Sequence, residues 1–288
     1  MITLTNHYLK AQISPDGAEL KSLIFLPTGK EIIWQANPGI WARSAPLLFP
    51  IVGKLKNDSH KWNGLIYNMS QHGFARDSAF HVGQMNETAA IFSLSESEQT
   101  LSKYPYDFAL KVSFQLKGNS ISQSIEVENT GENDMPFSIG FHPGFNIFGA
   151  FSDYQILFEK PEKSDLLELK GGLIAGVAHK NYLDQSQELL LEDDIFNNDA
   201  LIFKGLHSNF SKLKKQDGSH ELTIEHPGFP YLGIWSKPDA AFVCIEPWYG
   251  LADSVNSDGN LFNKEGIVVL NPGKKFSCAI TIHVNNAF

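Results

Sequence analysis

The sequence reads as all-β, a large antiparallel β-sandwich with few short helices. Three observations carry this reading. Long runs alternate apolar and polar residues with a period of two. Turn-forming clusters separate those runs. A helical period is sustained nowhere for more than about two turns. In 107–116, Phe108, Leu110, Val112, Phe114 and Leu116 alternate with Ala109, Lys111, Ser113 and Gln115. In 275–284, Phe276, Cys278, Ile280, Ile282 and Val284 alternate with Ser277, Ala279, Thr281 and His283, and Ile121, Ile125 and Val127 repeat the pattern. Successive strand side chains point to opposite faces, so each run has one buried and one wetter face.

The remaining elements follow in chain order. Shorter strands are expected at 2–13, 19–26, 31–35, 79–84, 89–94 and 154–158, then at 200–204, 221–225, 231–236, 241–246 and 267–270. Pro15-Asp16-Gly17, Lys117-Gly118-Asn119, Asn129-Thr130-Gly131, Gln216-Asp217-Gly218 and Asn271-Pro272-Gly273 supply the turns between them. The segment 187–197 is expected to form two helical turns, and 159–198 an elaborated connection. No Ser/Pro/Gly-rich linker divides the chain, so residues 1–288 are expected to form one domain. His142-Pro143-Gly144-Phe145 and His226-Pro227-Gly228-Phe229 are alike, but four residues suggest two similar strand-end turns rather than a duplication.

Composition narrows the function. The formal net charge of −9 argues against generic nucleic-acid binding, which needs a basic face. Residues 1–15 lack a basic stretch followed by an apolar run, and no apolar stretch approaches the length of a membrane span. Two cysteines, Cys244 and Cys278, make neither a disulfide framework nor a zinc site by themselves. A reduced, cytoplasmic compartment is therefore expected, with no membrane or nucleic-acid partner. Within this acidic chain, 41–76 carries Arg43, Lys54, Lys56, Lys61 and Arg76 against the single acid Asp58, and its two arginines are the only ones in the sequence.

Three segments place one ionisable group beside Gly or Pro at the end of an apolar run: Gln71-His72-Gly73-Phe74-Ala75-Arg76-Asp77, Ile139-Gly140-Phe141-His142-Pro143-Gly144-Phe145, and Cys244-Ile245-Glu246-Pro247-Trp248-Tyr249-Gly250. Strand-to-loop junctions of this kind are where rigid scaffolds present reactive groups. Singly, each also fits a satisfied structural histidine or a salt-bridged carboxylate. Together with Ala45-Pro46-Leu47-Leu48-Phe49-Pro50-Ile51-Val52-Gly53, they resemble the aldose 1-epimerase (galactose mutarotase-like) family, LacX-like branch, over nearly the whole chain.

That resemblance implies a β-supersandwich with a sugar groove on one sheet, and an isomerase that interconverts anomers of an aldohexose or its 6-phosphate. It implies His142 as general acid, Glu246 as general base and His72 as the histidine on the ring-oxygen side. Asp199, in Asn198-Asp199-Ala200-Leu201-Ile202-Phe203, corresponds to the aspartate that binds sugar hydroxyls. Galactose-type members carry Asn-x-x-Gly-Arg where this chain reads Phe49-Pro50-Ile51-Val52-Gly53-Lys54, so Lys54 stands in the arginine's place and galactose itself is in doubt. Hexose-6-phosphate epimerases of the superfamily have arginines in settings like those of Arg43 and Arg76, which would suit a phosphate; the alternative is that Arg76 pairs with Asp77 or Glu246. Trp248, beside Glu246, is the expected aromatic sugar platform.

A carboxylate and a histidine suit hemiacetal opening near neutral pH, each contributing roughly 10²- to 10⁴-fold, so no metal and no cofactor is expected. A non-catalytic carbohydrate-binding protein of the same fold is the alternative, although it would not need an acid–base pair. A glycoside hydrolase wants two carboxylates, of which only Glu246 has a motif. A cupin-like metal site lacks a His-x-His pair.

Overall fold

In the computed structural model, which describes residues 1–287, strands Phe108–Lys117 and Ser120–Asn129 form an antiparallel hairpin about Gly118 and Asn119. Leu110 stands opposite Val127, Val112 opposite Ile125, and Leu116 opposite Ile121. These are the residues whose alternation marks the strands, and all are buried. Lys275–Ala287 adds to the same edge with Ile282 opposite Ile121. From here an antiparallel sheet of fifteen strands extends in both directions. A four-stranded meander at the N-terminus, Ile2–Thr5, Leu9–Ser14, Glu19–Phe25 and Lys30–Glu31, sends Leu4, Leu9, Ala11 and Ile13 into the same core.

The functional face arises from the period of two in five adjacent strands: Leu47–Leu48, Ile139–Phe141, Phe242–Tyr249, Tyr231–Trp235 and Leu201–Lys204. Leu47, Ile139, Phe141, Val243, Ile245, Leu232, Ile234, Leu201 and Phe203 belong to the main core. Their neighbours in sequence, including Leu48, Gly140, Glu246, Trp248, Gly233 and Ile202, therefore point to the opposite face.

Four expectations change. The strand expected at 31–35 shrinks to Lys30–Glu31, with Ile33 an isolated bridge to Phe145. The segment 2–13 is two strands, because Asn6 Oδ1 accepts from the N–H groups of Tyr8 and Leu9 and turns the chain between them. The 159–198 connection is mostly a long twisted ribbon, Tyr154–Lys170 paired with Leu173–Leu190. The helix expected at 187–197 does not form: its first residues extend that ribbon, and turns follow. The only α-helix among the described residues is Glu98–Leu101, accompanied by four short 3₁₀ turns. The cysteines are free, and among the described residues no helix is long and apolar enough to cross a membrane.

The two His-Pro-Gly-Phe segments both follow strands but do different things. His142 enters the candidate site, whereas buried His226 lies 2.9 Å from Ser211 Oγ.

Candidate active site

The site begins with a reciprocal lock. His72 N–H donates to the Gly53 carbonyl at 2.8 Å, and Gly53 N–H donates to His72 Nδ1 at 3.1 Å. Phe74 and Ala75 N–H both donate to the Phe49 carbonyl. Gly73 makes this approach possible: it has φ +73°, and a Cβ there would lie 2.2 Å from the Phe49 oxygen. Since His72 Nδ1 accepts, Nε2 carries the ring proton, and it lies 3.3 Å from the side-chain amide nitrogen of Gln71, which lines the same cavity. Burial, reinforced by His142 and the two arginines, holds this imidazole well below its ordinary pKa and hence neutral.

His142 follows the short strand Ile139–Phe141, and Glu246 lies on the neighbouring Phe242–Tyr249. His142 Nε2 and Glu246 Oε2 are 3.1 Å apart, and both side chains are buried. The approach falls outside hydrogen-bond geometry, so Glu246 Oε2 has no hydrogen-bond partner among the described residues, and His142 Nδ1, the other ring nitrogen, has none either. Burial raises the Glu246 pKa well above the carboxylate range, and the Asp199 charge adds to the rise. Burial pushes His142 down to about 3, opposed by its own backbone and assisted by Arg76 and Arg43. Both shifts favour a resting pair with the proton on the carboxyl and a neutral ring.

A cavity of about 260 Å³, at the small end of ligand pockets, opens over these groups. Trp248 contributes its indole to the lining, and glycines on both flanking strands make room for it. A Cβ on Gly140 would lie 2.4 Å from its Cδ1, and one on Gly233 would lie 2.5 Å from its Cη2. Trp248 Nε1 is buried without a hydrogen-bond partner. Trp41 stacks on His142 with ring centroids 5.0 Å apart, and Trp235 meets the same imidazole edge-on at 5.9 Å. Both tryptophans line the cavity. The sequence motifs did not single them out. The available signal was compositional: the chain has only five tryptophans, and three surround one histidine–glutamate pair.

The structure brings His72, Arg76, His142, Asp199, Glu246 and Trp248 to one cavity. Arg76 donates from Nη2 to the Gln71 carbonyl at 2.7 Å, and its buried Nε, which makes no hydrogen bond, lies 3.8 Å from Asp77 Oδ2, the ion pair expected as the alternative to phosphate binding. Asp199 is exposed at the rim, at φ +84°, and its Oδ1 accepts from Ala200 N–H.

Two expected contacts lie outside the lining. Arg43 pairs with Asp77 and donates to the Arg76 carbonyl at 3.3 Å, which makes it a brace for the 71–77 segment. Lys54 directs Nζ towards Asp58 at 3.9 Å, and its stem packs beside Gly172. Donor atoms of His142, Cys244 and Glu246 all lie within 4.8 Å of one another, the one set of this kind among the described residues.

A family model described as Aldose 1-epimerase matches residues 1–283. Protein LacX (plasmid) of Lactococcus lactis subsp. lactis is 32% identical over 287 residues, spanning 94% of this chain and 95% of that protein. The solved structure of a galactose mutarotase related enzyme from Lactobacillus acidophilus superposes with a TM-score of 0.94 at 34% identity, covering 99% of this chain and 97% of that one. A galactose mutarotase-like protein from Lactobacillus casei ATCC 334 gives the same TM-score at 31% identity, with 99% and 100% covered.

Proposed function

The chain belongs to the aldose 1-epimerase family, and on that footing we propose that it interconverts the α and β anomers of an aldohexose by acid–base ring opening. The observation that carries this reading is the buried His142–Glu246 pair, 3.1 Å apart at an aromatic-walled cavity of about 260 Å³. A sugar brings hydroxyl donors to the orphaned Glu246 Oε2 and favours the charge-separated form of the pair. Glu246 then takes the proton from the C1 hydroxyl as the C1 carbonyl forms. His142 delivers its proton to the ring oxygen as the C1–O5 bond breaks. Rotation about C1–C2 and the reverse transfers close the ring on the other face.

His72 Nε2–H supports the ring-oxygen side, and Arg76 and Asp199 bind hydroxyls. The apolar C–H faces of the sugar lie on Trp248. These transfers require no metal and no organic cofactor. A binding protein without turnover would not need two buried titratable groups, whose desolvation costs stability.

Of the two substrate forms, the free sugar is the better supported. A phosphate is best held by free guanidinium forks, and Arg43 is committed to Asp77 and the Arg76 carbonyl. Exchange NMR or polarimetry across free aldoses and their 6-phosphates tests the proposal. Catalysed anomer exchange with a free aldohexose is expected. Exchange no faster than the uncatalysed rate across the whole panel would refute it.

A further inference from the structure

Cys244 is a buried nucleophile that the ring-opening chemistry does not use. It lies two residues before Glu246 on Phe242–Tyr249, and therefore on the same face of the sheet. Its side chain is fully buried beside Trp34, Trp41 and Trp235. Two of the groups around it are incompletely satisfied, since His142 Nδ1 and Glu246 Oε2 have no hydrogen-bond partner among the described residues. The sulfur and one donor atom from each of these residues fall within a 4.8 Å span. A tetrahedral zinc ion, with metal–ligand distances of about 2.3 Å to sulfur and about 2.0–2.2 Å to nitrogen and oxygen, spaces its donors roughly 3.3–3.8 Å apart, so side-chain shifts of about 1 Å draw this set onto an ion.

We propose that His142, Cys244 and Glu246 form a binding site for a thiophilic divalent cation, Zn²⁺ in the first instance, and that its occupation switches off the enzyme. Imidazole, thiolate and carboxylate together are a zinc-type donor set. A thiolate and a carboxylate also cancel the two charges of the ion, so the occupied site carries no net charge into the buried strand face. His142 and Glu246 line the sugar cavity, whereas Cys244 lies behind it. The ion thus enters through the cavity, with its fourth position turned towards sugar or water. Mg²⁺, which prefers six oxygen ligands, does not suit this set. Inhibition follows because the metal takes the Glu246 carboxylate that proton transfer needs and fixes the His142 ring to it. That consequence rests on the proposed function; the binding itself does not.

The test uses the full chain, stripped with chelator and dialysed. Co²⁺ reports ligation through its thiolate-to-metal charge-transfer band, and Zn²⁺ affinity is measured by competition with a chromogenic chelator. The expected result is one ion per chain, a charge-transfer band in the wild type and none in Cys244→Ala. Zn²⁺ affinity in that variant should fall by more than the roughly 10- to 100-fold typical of losing an outer-shell partner. Anomer exchange should fall in step with Zn²⁺ occupancy and return with chelator, with Mg²⁺ having no effect. Cys244→Ala should retain exchange at Zn²⁺ concentrations that silence the wild type. If the alanine variant does not fold, Cys244→Ser serves the same comparison.

No stoichiometric uptake, uptake without the thiolate band, or equal uptake by the cysteine variants would each overturn the site. Uptake with the band but undiminished exchange would leave the binding site standing and overturn the switch, together with the role of the His142–Glu246 pair in catalysis.

Discussion

Replacing Glu246 with glutamine separates the chemistry from the fold. The side chain is 1% exposed, its Oε2 has no hydrogen-bond partner, and burial drives its pKa well above the carboxylate range. An ionised carboxylate here is therefore a destabilising feature. Because its pKa is higher in the folded state, stability falls as pH rises from the unfolded carboxylate value of about 4.3 through the folded value. Glutamine keeps the shape and removes the ionisation. We expect Glu246→Gln to leave stability at neutral pH unchanged or raised by about 1–3 kcal/mol, the scale of an unsatisfied buried polar group. The same change removes the base, at a cost of roughly 10²- to 10⁴-fold in rate, or about 3–5 kcal/mol of barrier. Thermal unfolding near pH 7 and anomer exchange by NMR measure the two effects on one preparation. Wild-type exchange in the variant would remove Glu246 from the mechanism, and a large drop in melting temperature would refute the account of its burial.

Arg43→Ala should change the Michaelis constants for free glucose and glucose 6-phosphate by the same small factor, because Arg43 braces the 71–77 segment outside the cavity; a selective loss of the phosphorylated sugar would show that it meets the phosphate. Arg76→Ala should weaken either sugar by about ten- to a hundredfold, the scale of a charged hydrogen bond, and an unchanged Michaelis constant would remove it from the site. In Gly233→Ala, a Cβ 2.5 Å from the Trp248 indole should cost about 1–3 kcal/mol of stability and weaken sugar binding, whereas native behaviour in both assays would show that the indole is not confined. His220 and His226 are held by burial near a pKa of about 4, against 6.5 for the exposed group. Their contribution is intact above 6.5 and is lost as pH falls towards 4, because the unfolded chain takes up protons first, at up to about 3 kcal/mol each. His226→Gln should reduce the fall in melting temperature between about pH 7 and about pH 5, and an identical fall would exclude His226 as a contributor.

Sequence alone determined the strands that have one dry face. Alternation in 107–116 and 275–284 is the direct imprint of burial on one side, and the structure places those residues in the core. It also determined the family, through motifs whose Gly, Pro and His are tied to local geometry. Gly53 N–H fixes the His72 tautomer and Gly73 admits the Phe49 carbonyl, so the two motif segments carry in their own glycines the contact they make with each other. The ribbon Leu173–Leu190 was illegible because most of it is wet on both faces and its pairing shifts register repeatedly, so no period of two survives.

Tertiary structure alone decided which charged residues reach the cavity. Arg43 and Arg76 look equivalent in a basic window, and both pair with Asp77, yet only Arg76 reaches the lining of the cavity. Likewise Trp41 and Trp235 meet His142 only because strand order places the strand before His142 and the strand that ends in Trp235 on either side of Phe242–Tyr249, with Trp41 folded over from a loop. Periodicity records which face a residue takes, because burial acts on each strand separately. Strand order, which decides what a side chain meets on that face, is set by contacts distant in sequence and leaves no local pattern.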